Sequence, residues 1–203
     1  MDQEEKATSG HVIDRSKLPD EFPTNYHSPE FWEALGRAVG TFGLLEETLA
    51  KAIFAITATK EIPEDQIEVE YGKWIVTLER ALTDSLGGLI DAYSKAVSDN
   101  PKIADENLQK LISGMREAAK IRNAICHGSW RMPDVKGRSV PFYVNRKLEI
   151  FETPVDIGFL KQLQTATMDL VMSVMDSVTM VGWQFPGSGR PGTPLSVAKE
   201  LGG

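Results

Sequence analysis

The chain has 203 residues, of which 41% are hydrophobic and 25% charged, and its formal net charge is −7 at pH 7. It holds no run of 18 or more apolar residues, so we expect one globular domain and no membrane contact. Its first residues are acidic and no apolar stretch follows them, so we expect a cytoplasmic location. The negative charge disfavours coating of nucleic acid by bulk electrostatics but leaves a local basic patch open. One cysteine and three widely spaced histidines predict no metal site, and no cofactor is expected.

Residues 1–27 are polar and rich in turn formers, which predicts an N-terminal arm that packs loosely or not at all. Ser28-Pro29-Glu30 then supplies an N-cap, a proline at the first helical position and an acid in the first turn, a combination typical of a helix start. Apolar residues recur after it at steps of three and four. A first helix of about eight turns is therefore predicted to bury one stripe, formed by Leu35, Val39, Phe42, Leu45, Leu49, Ile53 and Ile56.

Two more long helices are predicted before residue 129. Ile62-Pro63-Glu64-Asp65 ends the first helix, and the same period resumes in a second long helix that Gly87-Gly88 interrupts, as a kink or a close backbone approach. Asp99-Asn100-Pro101 caps a third helix, which ends at His127-Gly128 with glycine at the C′ position. The two apolar stripes are Trp74, Leu78, Leu82, Leu86, Leu89, Tyr93 and Val97, and Leu108, Leu111, Ile112, Met115 and Ala119.

The composition changes over residues 129–152, where β-branched and aromatic residues lie among turn formers. This pattern predicts an insertion of two or three short antiparallel strands. A fourth helix follows from about Asp156 to near Gly182, and residues 184–203 are expected to form a disordered tail. The predicted fold class is all-α, with four main helices in a bundle over residues 28–183 and a small β-hairpin insertion before the last helix.

The chemically informative stretch lies at the end of the third helix. At 100° per residue, Arg122 falls inside the apolar stripe. A guanidinium in that position is costly unless it is paired, bound to an anion or facing a cleft. Asn123 and His127 form an i, i+4 pair on the flank of the same helix, and His127 lies about 140° from Arg122 around an ideal helix.

The order Arg122-Asn123-x3-His127 at a helix end resembles the Arg-x4–6-His motif of the HEPN superfamily (higher eukaryotes and prokaryotes nucleotide-binding domain). The resemblance covers about nine residues as a motif and residues 29–182 as an order of helices. Such domains commonly carry a polar or acidic residue on the first helix that faces the motif, which makes Glu46 the candidate partner of Arg122. Some related toxins have tyrosine two residues after the histidine. Ser129 stands there instead, which argues against control by tyrosine modification.

The resemblance implies metal-independent cleavage of RNA by a homodimer, with the motifs of two protomers facing one cleft. The family context is bacterial defence or toxin activity, in which an antitoxin or another regulatory protein is a further partner. His127 would carry the proton, Arg122 would clamp the phosphate and Asn123 would orient the substrate or the imidazole. This chemistry is consistent in itself, because attack by the RNA 2′-hydroxyl needs a base, an acid and a cation, all of which imidazole and guanidinium supply.

Local charge favours an anionic ligand near the motif. Residues 114–147 hold eight basic and two acidic residues, a balance of +6 that leaves −13 for the rest of the chain. Such a patch suits an RNA backbone, and the nearby aromatic rings suit base stacking. The residues predicted to bind RNA are Lys120, Trp130, Arg131 and Arg138.

Each of these residues also has a structural interpretation that the sequence leaves open. Arg122 alternatively forms a structural ion pair with Glu46 or Glu47, and His127 alternatively caps the helix end. Aromatic residues of 130–151 are more often part of an insertion core than base platforms. The alternative function is a catalytically inactive HEPN-like dimer that binds nucleotide, RNA or a partner protein. The two functions differ in whether Arg122 and His127 face an open cleft between two chains or are engaged within one chain.

Overall fold

A computed structural model describes residues 12–58, 62–100, 107–180 and 185 of the chain, and these residues are mostly helical. The α-helices of this part are α1 (Pro29–Ala58), α2 (Ile67–Ala81), α3 (Leu86–Ser98), α4 (Asn107–His127) and α5 (Ile157–Met180). Single 3-10 turns lie at Arg15–Lys17, Thr24–Tyr26 and Glu64–Gln66. The all-α class is thereby confirmed. No helix in the described ranges is both long enough and apolar enough to cross a bilayer.

The long helix α1 is the centre of the bundle. It packs chiefly against α5 and then against α3, while α4 packs on α5 and α3. The predicted stripe of α1 is buried except for Val39, which is 37% exposed. The core also contains Tyr93 of α3, whose hydroxyl donates to Oγ of Ser177 on α5 at 2.7 Å. The one polar atom of this large buried ring is therefore satisfied, as burial requires.

The sequence predicts one long helix after residue 65. This prediction is wrong, because the chain forms two helices there, α2 and α3. Helical geometry ends at Ala81, and Leu82, which the periodicity places in the buried stripe, is 81% exposed. Ser85 starts α3 as its N-cap by accepting a hydrogen bond from the Gly88 N–H. The interruption therefore precedes Gly87-Gly88, and both glycines lie in the first turn of α3.

The segment between α4 and α5 contains no regular strand, so the predicted β-hairpin is not confirmed. Its pairing is limited to three isolated antiparallel bridges, Ser129–Phe142, Ser139–Val155 and Val144–Ile150. Pro141 stands between Ser139, which pairs with Val155, and Tyr143, whose carbonyl accepts from the Phe151 N–H at 3.0 Å. Because proline has no N–H, Pro141 cannot donate the backbone hydrogen bond that would connect these two pairings into one continuous strand.

The end of the N-terminal arm packs tightly, which differs from the loose packing expected. His27 is buried, its ring stacks on Phe31 with centroids 4.0 Å apart, and it meets Trp32 and Trp130 edge-on. Its Nε2 lies 3.0 Å from the backbone oxygen of Arg131, so the arm is joined to the segment after α4. Residues 1–11 of the arm and the predicted tail, apart from the buried Phe185, lie outside the described residues.

Candidate functional site

The motif lies in the last two turns of α4, and the helix stops where the sequence predicts. The Gly128 N–H donates to the carbonyl of Ala124 at 2.9 Å, but the φ of Gly128 is not positive. Glycine is required here for space, since an added Cβ would collide with the Ala124 carbonyl oxygen and lie 2.7 Å from Cβ of Pro141. The end of α4 is therefore held against the segment that follows it.

Arg122 contacts Glu46, the partner expected for it. Its Nη2 donates to Oε1 of Glu46 at 3.2 Å, and its Nη1 donates to Oδ1 of Asn123 at 3.3 Å. The side chains of Arg122 and Glu46 are 25% and 29% exposed, so this ion pair is half-buried and joins α4 to α1. A guanidinium has five N–H donors, so these two contacts leave further donors of the partly exposed Arg122 for another ligand. The pair therefore fixes the cation without enclosing it.

His127 occupies the last helical residue, and its side chain is exposed. Its ring makes no hydrogen bond or ion pair with any residue in the described ranges. Because α4 remains helical to this point, His127 lies about 140° around the axis and about 7.5 Å along it from Arg122. One chain therefore brings together Arg122, Asn123 and Glu46, and leaves the imidazole of His127 on a different face of α4.

The half-buried thiol of Cys126 lies close to the same ion pair. Burial raises its pKa, an effect that the positive charge of Arg122 opposes and the negative charge of Glu46 reinforces. Cys126 also packs against the hydrophobic core. A raised pKa keeps the thiol protonated near neutral pH, so the side chain acts as a small core residue rather than as a nucleophile.

Two of the cations predicted to bind RNA are engaged in local ion pairs. Lys120 contacts Glu117 at 2.7 Å, one turn earlier on α4. Arg138 donates through Nε and Nη2 to Oδ2 of Asp134 at 3.0 and 2.8 Å. Hydrogen bonds from the backbone and side chain of Arg138 lower the pKa of Asp134 to about 2, so this carboxylate stays charged at neutral pH. Both cations are thus partly compensated within the chain.

Trp130 belongs to an aromatic cluster rather than to an open stacking platform. Its ring is half-buried and meets Phe31, His27 and Trp32 edge-on, with centroids 5.0, 5.8 and 6.4 Å away. These contacts join the segment after α4 to the start of α1. The fourth predicted RNA-binding residue, Arg131, is exposed, and its guanidinium lies 5.2 Å from the centroid of Phe142.

The unpaired positive charge of residues 114–147 lies mainly in the segment that follows α4 rather than on α4 itself. Four of its eight cations form ion pairs, on Asp91, Glu117, Glu46 and Asp134. The others have no acidic partner among the described residues: Arg131, Lys136, Arg146 and Lys147. The uncompensated positive charge therefore lies on residues 131–147, next to the exposed end of α4.

Comparison of the chain with protein-family models, with curated proteins and with solved structures found no match. The resemblance to the HEPN superfamily therefore depends on the motif residues. Within the described ranges, no three histidine, cysteine, aspartate or glutamate side chains are grouped so as to hold a metal ion.

A groove of about 520 Å³, which is not among the features predicted from the sequence, opens beside Glu46. It runs between α1 and the break before α3, and its lining includes Phe54, Leu82 and Asp84. The sequence does indicate that Phe54 is exposed, because Phe54 follows the stripe residue Ile53 on α1 and so points away from the core. No comparable signal marks Asp84, since its position depends on a helix break that the periodicity conceals.

Proposed function

We propose that the chain is a metal-independent endoribonuclease of the HEPN type that acts as a homodimer and leaves 2′,3′-cyclic phosphate ends. One observation carries the proposal: an exposed imidazole, His127, follows by five residues a guanidinium, Arg122, that Glu46 and Asn123 hold in place. By analogy with the family that it resembles, the enzyme would act on RNA in the cytoplasm, in bacterial defence or as a toxin restrained by a partner protein.

The reaction needs two proton transfers, and each chain offers one suitable group. A base removes the proton of the 2′-hydroxyl, and an acid protonates the leaving 5′-oxygen. His127 is the exposed histidine of the described residues, whereas His27 is buried and its Nε2 contacts a backbone carbonyl. A symmetric dimer would supply a second His127, so that one imidazole acts as base and the other as acid.

Arg122 would stabilise the charge that builds on the phosphorus during attack. A guanidinium fixed before the substrate arrives needs no rearrangement in the transition state, which is the condition for strong electrostatic stabilisation. Glu46 acts as a positioning residue, since it contacts Arg122 rather than the reacting atoms. Asn123 contacts the same guanidinium through Oδ1, which leaves its amide N–H groups to orient a phosphate oxygen or the 2′-hydroxyl.

The alternative is a HEPN-like dimer without catalytic activity that binds RNA, nucleotide or a protein. The ion pair between Arg122 and Glu46 favours it, because a compensated guanidinium attracts a phosphate less strongly than a free one. In this alternative His127 makes contacts but transfers no proton. The same experiment separates the two functions.

The decisive experiment is incubation of labelled single-stranded RNA with purified protein in EDTA, followed by analysis of the product ends. We expect cyclic 2′,3′-phosphate ends from the wild type, a loss of at least a hundredfold in rate for His127→Ala, and an unchanged rate for the control Gln109→Ala on the exposed side of α4. The specific rate should rise with protein concentration as the dimer forms. No cleavage of several RNAs by folded, dimeric wild type would leave the binding module as the function.

A further inference from the structure

The groove beside the candidate site has the size and lining of a binding pocket for a flat, largely apolar group. Its volume of about 520 Å³ lies within the range of small-molecule pockets. The apolar lining residues are Ala50, Phe54, Ala81, Leu82 and Leu89. Phe54 is 41% exposed, although its ring also contacts Trp74 with centroids 5.4 Å apart, so part of its side chain is accessible to a ligand in the groove.

Glu46 connects this groove to the candidate phosphate clamp. The same carboxylate lines the groove and accepts the hydrogen bond from Arg122 at 3.2 Å. From Glu46 to Phe54 the helix α1 advances by eight residues, or about 12 Å. A phosphate at Arg122 would lie at the Glu46 end of the groove, and the base of the same nucleotide would point along α1 towards Phe54.

The charges in the groove select a base rather than a second phosphate. The three acidic lining residues are Glu46, Glu47 and Asp84, and the single cation, Lys51, is already paired with Glu47 at 2.6 Å. Carboxylates repel phosphate oxygens and accept hydrogen bonds from N–H groups of a neutral ligand. The groove is thus complementary to a base that carries N–H donors.

Asp84 is the acceptor best placed for this contact. The carboxylates of Glu46 and Glu47 each contact a cation, whereas that of Asp84 forms no hydrogen bond or ion pair with another described residue. It lies over the glycine position that opens α3, since a Cβ added at Gly88 would be 2.8 Å from its Cγ. Gly88 therefore leaves room for the Asp84 carboxylate, and Asp84 lines the groove.

We propose that the groove binds the guanine base of the nucleotide next to the scissile phosphate, stacked on Phe54 and hydrogen-bonded to Asp84. Among the four RNA bases, guanine presents N1–H and the N2 amino group side by side, so that one carboxylate accepts from both. Adenine and cytosine present one amino group on that edge, and uracil presents one N–H. The inference rests on the proposed function, because it identifies the base in the substrate of that same site.

The test compares calorimetric binding of guanosine 5′-monophosphate and inosine 5′-monophosphate, which share a phosphate but differ in the N2 amino group. We expect wild type to bind the guanosine nucleotide about tenfold more tightly. The preference should vanish in Asp84→Asn and persist in Asp65→Asn, a matched change on an exposed residue away from the groove. Phe54→Leu should weaken binding of both nucleotides by about tenfold, because it removes the stacking face.

Equal or absent binding of the two nucleotides by wild type, or a preference that survives Asp84→Asn, would overturn the inference. Circular dichroism and the melting temperature establish that each variant is folded. RNA cleavage that depends on His127 but shows no preference for guanosine would contradict the inference alone. Selective guanosine binding without any RNA cleavage would contradict the proposed nuclease and support the groove as a guanine site.

Discussion

The Nη2 atom of Arg122 and the Oε1 atom of Glu46 lie 3.2 Å apart and join α4 to the middle of α1. Both side chains are only partly exposed, so their charges are only partly screened by water. The pair therefore has two consequences. It positions the guanidinium for the proposed reaction, and it makes the stability of the bundle depend on both partners.

Removal of either partner of this pair should destabilise the protein measurably. We expect Arg122→Ala and Glu46→Ala each to lower the free energy of unfolding by about 1–3 kcal/mol, between the values for exposed and fully buried pairs, because each leaves a half-buried charge alone. Urea unfolding of the single and double variants gives the coupling energy, which we expect to be about 1 kcal/mol. Strictly additive effects would mean that the contact contributes nothing.

Substitution of two glycines by alanine should change stability in opposite directions. At Gly128 an added methyl group collides with the Ala124 carbonyl and approaches Cβ of Pro141, so we expect a loss of about 1–3 kcal/mol. At Gly40, an exposed position within α1, no atom lies within 4 Å of the added Cβ. Gly40→Ala should therefore raise stability by about 0.5–1 kcal/mol. Thermal unfolding measures both, and equal shifts would refute the steric explanation for Gly128.

Helical periodicity predicted the helices that bury a continuous stripe, and it failed where a short capping signal competed with it. The stripe of α1 and the end of α4 at His127 agree with the structure. Leu82 fits the helical period of the residues around it but is exposed. Ser85 caps a new helix, α3, so the residues before and after it do not belong to one continuous helix. The β-branched and aromatic composition after residue 128 predicted strands, but Pro141 removes a donor that a ladder would need.

Within the candidate site, the contact of Arg122 with Glu46 could be predicted from the sequence. The contacts that engage Arg138 and Trp130 within the chain could not. The contact between Arg122 and Glu46 is the one that the family resemblance implies. The ion pair of Arg138 with Asp134 depends on a turn at Gly137, where φ is +74°, and spacing alone does not reveal its geometry. The packing of Trp130 depends on His27, which the sequence assigns to a loose arm.

The contribution of individual cations to RNA binding should follow their compensation within the chain. Lys147 has no acidic partner among the described residues, whereas Arg138 is held by Asp134. If RNA binds as proposed, Lys147→Gln should reduce the slope of log affinity against log salt by about 0.7, the value for one phosphate contact with a single strand. Arg138→Gln should change the slope by less. Titrations at several salt concentrations decide this, and a larger effect of Arg138→Gln would contradict it.

The buried ring of His27 should make stability depend on pH. Burial lowers its pKa below the ordinary value of 6.5, and the hydrogen bond with the backbone of Arg131 opposes this only in part. The unfolded chain therefore binds a proton first as the pH falls, so the stability that neutral His27 contributes is complete above pH 6.5 and declines as the pH falls towards its folded pKa.

Urea unfolding between pH 7.5 and 5 should show this decline in the wild type. His27→Phe, which keeps an aromatic ring against Phe31 but cannot titrate, should flatten the profile, and the exposed control His127→Ala should retain it. A profile that His27→Phe leaves unchanged would assign the pH dependence to another group.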